Sequence, residues 1–116
     1  MKEYKFRGKT LEDFKSNDNV IIPRGAWIYG GIVYDDTRVW IDTVYYGQIA
    51  VDKETVGQYT GLHDKNGKEI YENMIINNKY IVIFDFCKFA LKNKDKGEII
   101  DFERDGDYEI TGEYFK

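Results

Sequence analysis

The stretch TVGQYTGLHDKNGKEIYENMI, residues 55–75, decides how this chain is interpreted, because it fits either a ligand-binding loop or a β-hairpin. Its glycines lack the G-x-G-x-x-G spacing of a dinucleotide-binding loop, and none is followed by Lys-Ser or Lys-Thr as in a phosphate-binding loop. Residues 64–67 also lack the spaced acidic ligands of a calcium loop. Asn66-Gly67 between alternating apolar residues is typical of a hairpin turn, because both residues readily adopt positive φ. We therefore predict that residues 58–62 pair with residues 68–71.

The composition predicts one globular domain that is mainly β. At 116 residues the chain is long enough to bury its own core, and 42% hydrophobic with 33% charged residues is ordinary for a globular domain. Aromatic residues make up 16%, ten of them Tyr, and such side chains favour strands. We predict a single domain over residues 1–116, with two β lobes that meet near residue 63 as an alternative.

Alternation of apolar and polar residues predicts the strands. Residues 26–34 and 39–45 form a hairpin around a turn at residues 35–37, and Gly30-Gly31 indicates a bulge or a close backbone approach. Residues 80–87 are apolar on nearly both faces, as in a covered central strand. Further strands are predicted at residues 4–7, 98–103 and 107–115, the last two paired around Asp105-Gly106-Asp107.

The predicted fold class is mainly β, either all-β or α+β. We expect antiparallel strands and hairpins that form a barrel-like or two-layer sheet. Thr10 and Asp13 have the spacing of a capping box, so the chain has at most one short helix, near residues 10–16.

Three segments resemble the YopX family, which is found in bacteriophages and prophages. Residues 54–72, ETVGQYTGLHDKNGKEIYE, resemble its central signature, residues 1–9 its N-terminal strand, and residues 109–114 its C-terminal strand. Asn73 stands where family members usually have Gly, and we expect it to keep the left-handed conformation. The resemblance implies a phage or prophage protein without a defined biochemical activity. The signature residues are Gly57, Gln58, Tyr59, Gly61, Asp64, Asn66 and Gly67.

The potentially reactive residues do not form a catalytic set. His63 is the only histidine and Cys87 the only cysteine, so neither has a partner of its own kind at metal-ligand spacing. We predict an exposed His63, and a buried, inert Cys87 within its apolar strand. Asp35 and Asp36 are expected to cap backbone amides rather than act as acid and base. We predict no catalytic, cofactor-binding or metal-binding residues, and a protein that is not an enzyme.

Aromatic and branched side chains are the candidates for a contact surface. This surface would lie on the strand at residues 80–87 or on the hairpin at residues 26–46 and would contact a second copy of the chain. The alternative is that the same side chains complete the core of a single chain. The candidate contact residues are Trp27, Tyr29, Trp40, Ile81 and Ile83.

The most basic stretch, KFALKNKDK at residues 88–96, offers the candidates for phosphate contacts, although a solvated loop is the favoured interpretation because Asp95 and Glu98 dilute its charge. The net charge of −4 provides no overall basic footprint for nucleic acid. These candidates are Lys88, Lys92, Lys94 and Lys96.

The expected function follows from these exclusions. No apolar run reaches the length of a membrane span, and the opening residues lack the apolar region of a signal peptide, so we expect a phage- or prophage-encoded protein of the bacterial cytoplasm. We predict a non-enzymatic accessory protein that contacts itself and an unknown phage or host protein. The alternative is a small β module that binds nucleic acid through the Lys-rich loop and exposed aromatic residues.

Overall fold

The computed structural model describes residues 5–104 and 106–115, which form antiparallel β strands joined by short turns. The one helical element in these ranges is a 3₁₀ turn at Lys53–Thr55. The mainly β, antiparallel fold is confirmed. The strands are β1 (Phe6–Lys9), β2 (Phe14–Lys15), β3 (Ile21–Ile22), β4 (Trp27–Tyr34), β5 (Val39–Thr43), β6 (Gly47–Val51), β7 (Gly57–His63), β8 (Glu69–Tyr71), β9 (Met74–Ile76), β10 (Tyr80–Asp85), β11 (Lys88–Asn93), β12 (Ile99–Asp101) and β13 (Ile110–Glu113).

The chain divides into two compact units, Met1–Gln58 and Tyr59–Lys116. Strand β7 crosses the division: its first two residues pair with β1 in the first unit, and its remainder pairs with β8 in the second. The two-lobe alternative places the meeting point near residue 63, a few residues further along the same strand. The strands of the described residues do not close into a barrel, although Thr10, just after β1, makes an isolated antiparallel bridge to Val51 at the end of β6.

The first unit contains a sheet in the order β6-β5-β4-β1. Strands β4 and β5 pair Ile32 with Ile41 and Tyr34 with Val39, which confirms the hairpin predicted around residues 35–37. One face of this sheet carries the buried core, and Phe14 and Ile22 from the short β2–β3 pair pack against it. The buried residues are Ile28, Val39, Ile41, Ile49 and Val51.

Gly30 lies on β4 where the backbone of β5 leaves no room for a side chain. A Cβ atom at Gly30 would collide with the backbone carbonyl of Asp42 and would lie 3.3 Å from Cγ2 of Ile41. At the neighbouring Gly31, an added Cβ atom would have no other atom within 4 Å. The close backbone approach predicted for the Gly pair is therefore made by Gly30 alone.

Residues 10–16, where the sequence allows at most one short helix, form bends and strand β2 instead. The hydroxyl of Thr10 donates to the carbonyl of Pro23 (2.8 Å), and Oδ1 of Asp13 accepts from the amide of Arg24 (2.8 Å). The two residues that were expected to cap a helix instead hold the loop that leads into β4.

The second unit contains the β7–β8 hairpin and a five-stranded sheet in the order β12-β11-β10-β9-β13. Strands β10 and β11 pair over six residues each, from Tyr80 with Asn93 to Asp85 with Lys88. Asn73, in the turn between β8 and β9, has φ 71° and keeps the left-handed conformation expected from the sequence. The buried core consists of Tyr59, Ile70, Tyr71, Met74, Ile76, Val82 and Leu91.

The predicted pairing of residues 98–103 with residues 107–115 is wrong. Strand β12 pairs with β11 and β13 pairs with β9, so they lie at opposite edges of the sheet. Asn77 holds the chain before β13 beside β9, since its Nδ2 donates to the carbonyl of Asp107 (3.1 Å) and its Oδ1 accepts from the amide of Glu109 (2.9 Å). Asp105 of the predicted turn lies outside the described residues.

Two further strands have different bounds from those predicted. Strand β10 ends at Asp85, so Phe86 and Cys87 form the turn to β11 instead of extending the strand. The N-terminal strand, predicted at residues 4–7, is Phe6–Lys9, and Tyr4 lies outside the described residues.

We predict that Gly30→Ala lowers the free energy of unfolding by about 2 kcal/mol or more, because the added methyl group forces β4 and β5 apart. The matched control is Gly31→Ala, which introduces the same atom one residue away, where no neighbour lies within 4 Å. Urea denaturation of both variants measures the difference, and equal losses would contradict the assigned role of Gly30.

Candidate functional site

The signature stretch forms the predicted hairpin, with Tyr59 paired to Tyr71 and His63 to Glu69. The amide of Asp64 donates to the carbonyl of Lys68 (2.8 Å), and the amide of Gly67 donates to the carbonyl of Asp64 (3.0 Å). Gly67 has φ 81°. This pattern is a type I turn followed by a left-handed residue, so Gly67 takes positive φ and Asn66 does not.

The carboxylate of Asp64 holds this turn together and ties it to a distant strand. Its Oδ1 accepts from the amides of Asn66 and Lys68 (both 2.9 Å), and its Oδ2 accepts from the amide of Ile110 at the start of β13 (3.2 Å). Burial of Asp64 raises its pKa, but the hydrogen bonds from Lys68, Ile110 and Asn66 outweigh burial and hold the pKa below its ordinary value of 3.8. The carboxylate of Asp64 therefore binds backbone amides, and the loop has a structural role.

The remaining signature residues also serve the backbone and the core. Gly57 and Gln58 continue β7 beside β1. Tyr59 is 5% exposed, and its ring lies 5.4 Å from that of Tyr71. Gly61, with φ 85°, lies where the register between β7 and β8 shifts. The signature thus specifies a bulged hairpin.

A family model described as YopX protein matches residues 32–113 of this chain, a range that contains the hairpin, just under half of the first unit and most of the second. The chain belongs to the YopX family. Residues 1–9, which resemble the family's N-terminal strand, lie outside the range that the family model matches. Comparison with the curated proteins and with the solved structures gives no match.

The three aromatic residues predicted as a contact surface lie on the face of the first unit's sheet that is opposite to its core. Tyr29 pairs with Arg7, and it is 46% exposed. Trp27 is half-buried, with the guanidinium of Arg7 3.9 Å from its ring centroid. Trp40 is also half-buried, and its Nε1 donates to Oδ2 of Asp35 (2.7 Å). Of these three residues, Tyr29 presents the largest exposed fraction.

The two isoleucines predicted for the same surface lie on β10 of the second unit. Ile81 is 8% exposed and is therefore buried within the single chain, and Ile83 is half-buried. The prediction of an open contact face at Ile81 is wrong, because Ile81 and its neighbour Val82, whose side chains point to opposite faces of β10, are both buried within the single chain.

The open apolar surface of the second unit lies at the other end of β10. Phe84 is 52% exposed and packs edge-on against Phe89, with 5.1 Å between ring centroids, and Phe86 is 89% exposed. Cys87 is exposed as well, which corrects its predicted burial. We call Phe84, Phe86, Cys87 and Phe89 the aromatic tip.

The backbone of the aromatic tip adopts a conformation that its side chains disfavour. Asp85 pairs with Lys88, so Phe86 and Cys87 are the two central residues of the turn, with φ 48° and 62°. Positive φ at both positions defines a type I′ turn, for which Asn-Gly is strongly preferred. A left-handed residue other than Gly costs about 1–2 kcal/mol. Bulky, exposed residues occupy the turn at the expense of stability.

The four lysines predicted as phosphate contacts do not form one row of unpaired cations. The Nζ of Lys88 lies 2.8 Å from Oδ1 of Asp101, and this hydrogen bond raises the pKa of Lys88 and lowers that of Asp101. Lys92 is exposed on β11, whereas Lys94 and Lys96 lie in the following turn, where Asp95 separates them. The carboxylates dilute the positive charge of this segment.

A cleft of about 390 Å³ in the first unit brings three carboxylates close together, but the structure gives two of them backbone partners. Oδ1 of Asp35 accepts from the amides of Thr37 (2.8 Å) and Arg38 (2.7 Å), and Asp52 caps the 3₁₀ turn through the amide of Glu54 (3.1 Å). The bonds from Thr37, Arg38 and Trp40 lower the pKa of Asp35 to about 2. The expected capping role is confirmed for Asp35. It is wrong for Asp36, the third carboxylate, whose side chain accepts no hydrogen bond from the described residues.

Other candidates for chemistry remain isolated. His63 is exposed at the end of β7, with Nδ1 3.4 Å from the hydroxyl of Tyr59. Within the described ranges, no group of three or more His, Cys, Asp or Glu side chains is arranged to hold a metal ion. No helix in the described part of the chain has the length and apolar character needed to cross a membrane.

We expect Asp64→Ala to lower the free energy of unfolding by roughly 2–4 kcal/mol, because three backbone amides lose a buried, charged acceptor. Asp95→Ala is the matched control in the same unit, since the side chain of Asp95 is exposed and accepts no hydrogen bond from the described residues. Urea denaturation distinguishes them, and a loss no larger than that of the control would contradict the anchoring role.

Asp35→Asn should lower the melting temperature at neutral pH, because the ionised carboxylate binds the turn amides better than an amide oxygen does. The pKa of Asp35 is lower in the folded protein than its ordinary 3.8, so its contribution is complete above 3.8 and disappears as pH falls towards about 2. The difference between variant and wild type should shrink over that interval. Asp36→Asn, which removes a carboxylate without hydrogen-bond partners among the described residues, should show neither effect. A pH-independent difference would refute the role assigned to the ionised carboxylate.

Proposed function

We propose that this YopX protein is a non-enzymatic accessory protein of a bacteriophage or prophage, and that it acts in the bacterial cytoplasm through protein–protein contacts. The aromatic tip is the contact site, and a second copy of the chain is one of its partners. The phage or prophage origin rests on the family resemblance, and the contact mechanism rests on the geometry of the tip.

The observation that carries the proposal is an 89% exposed Phe86 on a strained turn. The same unit closes its β7–β8 hairpin with Gly67 at the left-handed position, which is the unstrained solution. At the aromatic tip, Phe86 and Cys87 both adopt the left-handed conformation, although neither is a glycine. Strain of this kind is retained where the side chains serve a function that a better turn would remove.

The chemistry of the tip indicates the kind of contact. Phe84 and Phe86 are apolar and aromatic, and buried aromatic residues supply much of the binding energy at protein interfaces. A tight two-residue turn loses little conformational entropy when it binds. The tip therefore suits insertion into an apolar depression on a partner.

The occupation of the carboxylates supports a non-enzymatic role. Asp35, Asp52 and Asp64 accept hydrogen bonds from backbone amides, so their oxygens stabilise turns instead of facing a substrate. The nucleic-acid alternative has weaker support, because Lys88 is paired with Asp101 and carboxylates interrupt the remaining lysines.

We predict that the double variant Phe86→Asn, Cys87→Gly raises the free energy of unfolding by about 1–3 kcal/mol, because Asn-Gly relieves the strained turn. The same variant should lose self-association, which sedimentation velocity at tens of micromolar measures.

The control for this experiment is Tyr45→Ser, which removes an aromatic residue that is 87% exposed at the β5–β6 turn of the first unit. It should leave self-association intact. If the wild-type chain sediments as a monomer under these conditions, a second copy is not a partner. If the double variant is no more stable than the wild type, the turn is not strained and the argument from strain fails.

A further inference from the structure

Strand β12 forms an open edge of the second unit's five-stranded sheet. Within the described ranges it pairs with β11 alone, and all three of its residues are exposed. Ile99 is 51% and Ile100 42% exposed, although both are apolar and β-branched. An exposed apolar edge is a template for the addition of another strand.

The hydrogen-bond pattern shows which backbone groups face the open side. The amide of Asn93 donates to the carbonyl of Glu98 (2.8 Å), so this pair is hydrogen-bonded. Bonded and non-bonded pairs alternate along an antiparallel ladder, so Ile100 faces β11, while the amides and carbonyls of Ile99 and Asp101 point outwards. The edge thus offers two donors and two acceptors at the spacing of an incoming strand.

Charges at the two ends of β12 disfavour a second copy as the added strand. Directly opposite residues of an added antiparallel strand must both have outward-facing backbone groups, so a second copy would place Ile99 opposite either Ile99 or Asp101. The first register brings the Glu98 side chains of the two copies to diagonal positions, and the second does the same for the two Asp101 side chains, so each register brings like charges close together. The carboxylates that disfavour self-pairing would attract a strand with basic residues at the positions opposite them.

We propose that β12 binds an extended segment of a partner protein as a sixth, antiparallel strand, and that this segment has two adjacent apolar residues flanked by basic ones. The apolar pair lies opposite Ile99 and Ile100, and the basic residues lie opposite Glu98 and Asp101. Asp101 binds Lys88 through Oδ1, so its Oδ2 accepts from the partner. This surface is separate from the aromatic tip and does not depend on the function proposed for it.

The test uses the hexapeptide TKVIKT, blocked at both ends, titrated into the isotope-labelled full chain. We expect saturable shifts of the backbone amide signals of Ile99 and Asp101. The peptide TEVIET, with the same apolar pair and opposite charges, should bind about tenfold more weakly, because two attractive pairs become repulsive. Absence of shifts in β12 with TKVIKT, or equal binding of both peptides, would overturn the proposal.

Two variants separate strand addition at β12 from binding of the peptide elsewhere on the chain. Ile99→Pro removes an outward-facing amide without breaking a bond to β11, so it should abolish peptide binding while the fold persists. Glu98→Lys should reduce the preference for TKVIKT.

The variant Phe86→Asn, Cys87→Gly should bind the peptide as the wild type does. Evidence against a contact function of the aromatic tip would therefore leave this result unchanged. Concentration-dependent shifts of β12 amides without peptide would show self-pairing and refute the assigned partner.

Discussion

The carboxylate of Asp64 is the interaction on which the second unit depends. It is buried, it carries charge, and it binds amides from its own turn and from Ile110, which lies 46 residues further along the chain. A buried carboxylate without donors would be strongly unfavourable, so the turn at residues 64–68 and the start of β13 have to reach it together. A local hairpin motif thereby fixes the position of an edge strand in the neighbouring sheet.

Local patterns in the sequence were sufficient for the elements that depend on local physics. The β4–β5 and β7–β8 hairpins follow from alternation and turn residues that lie within about twenty residues of each other. The partner of β13 could not be predicted in this way, because Asn77 and Asp64 select it through side-chain bonds to backbone far along the chain. The absence of a helix near residues 10–16 has the same cause, because the hydroxyl of Thr10 donates to the carbonyl of Pro23 in the loop before β4.

The turn of the aromatic tip could not be predicted from the sequence, because its residues are apolar like those of the strand before it. A run of apolar residues over 80–87 predicts a strand, and a Phe-Cys pair is not a turn signal. One feature of the sequence was compatible with a turn: Asp85 and Lys88, which pair in the structure, are the charged residues on either side of Phe86 and Cys87. The capping by Asp35 was predictable, because an acidic residue at the start of a turn has amides within reach of its own side chain.

The residues that identify the family and the residues that we propose for contact belong to different parts of the second unit. The signature positions serve turn geometry, core packing and amide anchoring in this chain. Phe86 contributes little to folding and opposes the preferred turn. Ile99 and Ile100 lie at an exposed edge where the core does not require them. The signature therefore accounts for turns and core packing in the second unit, whereas the residues that we propose for contact lie outside it.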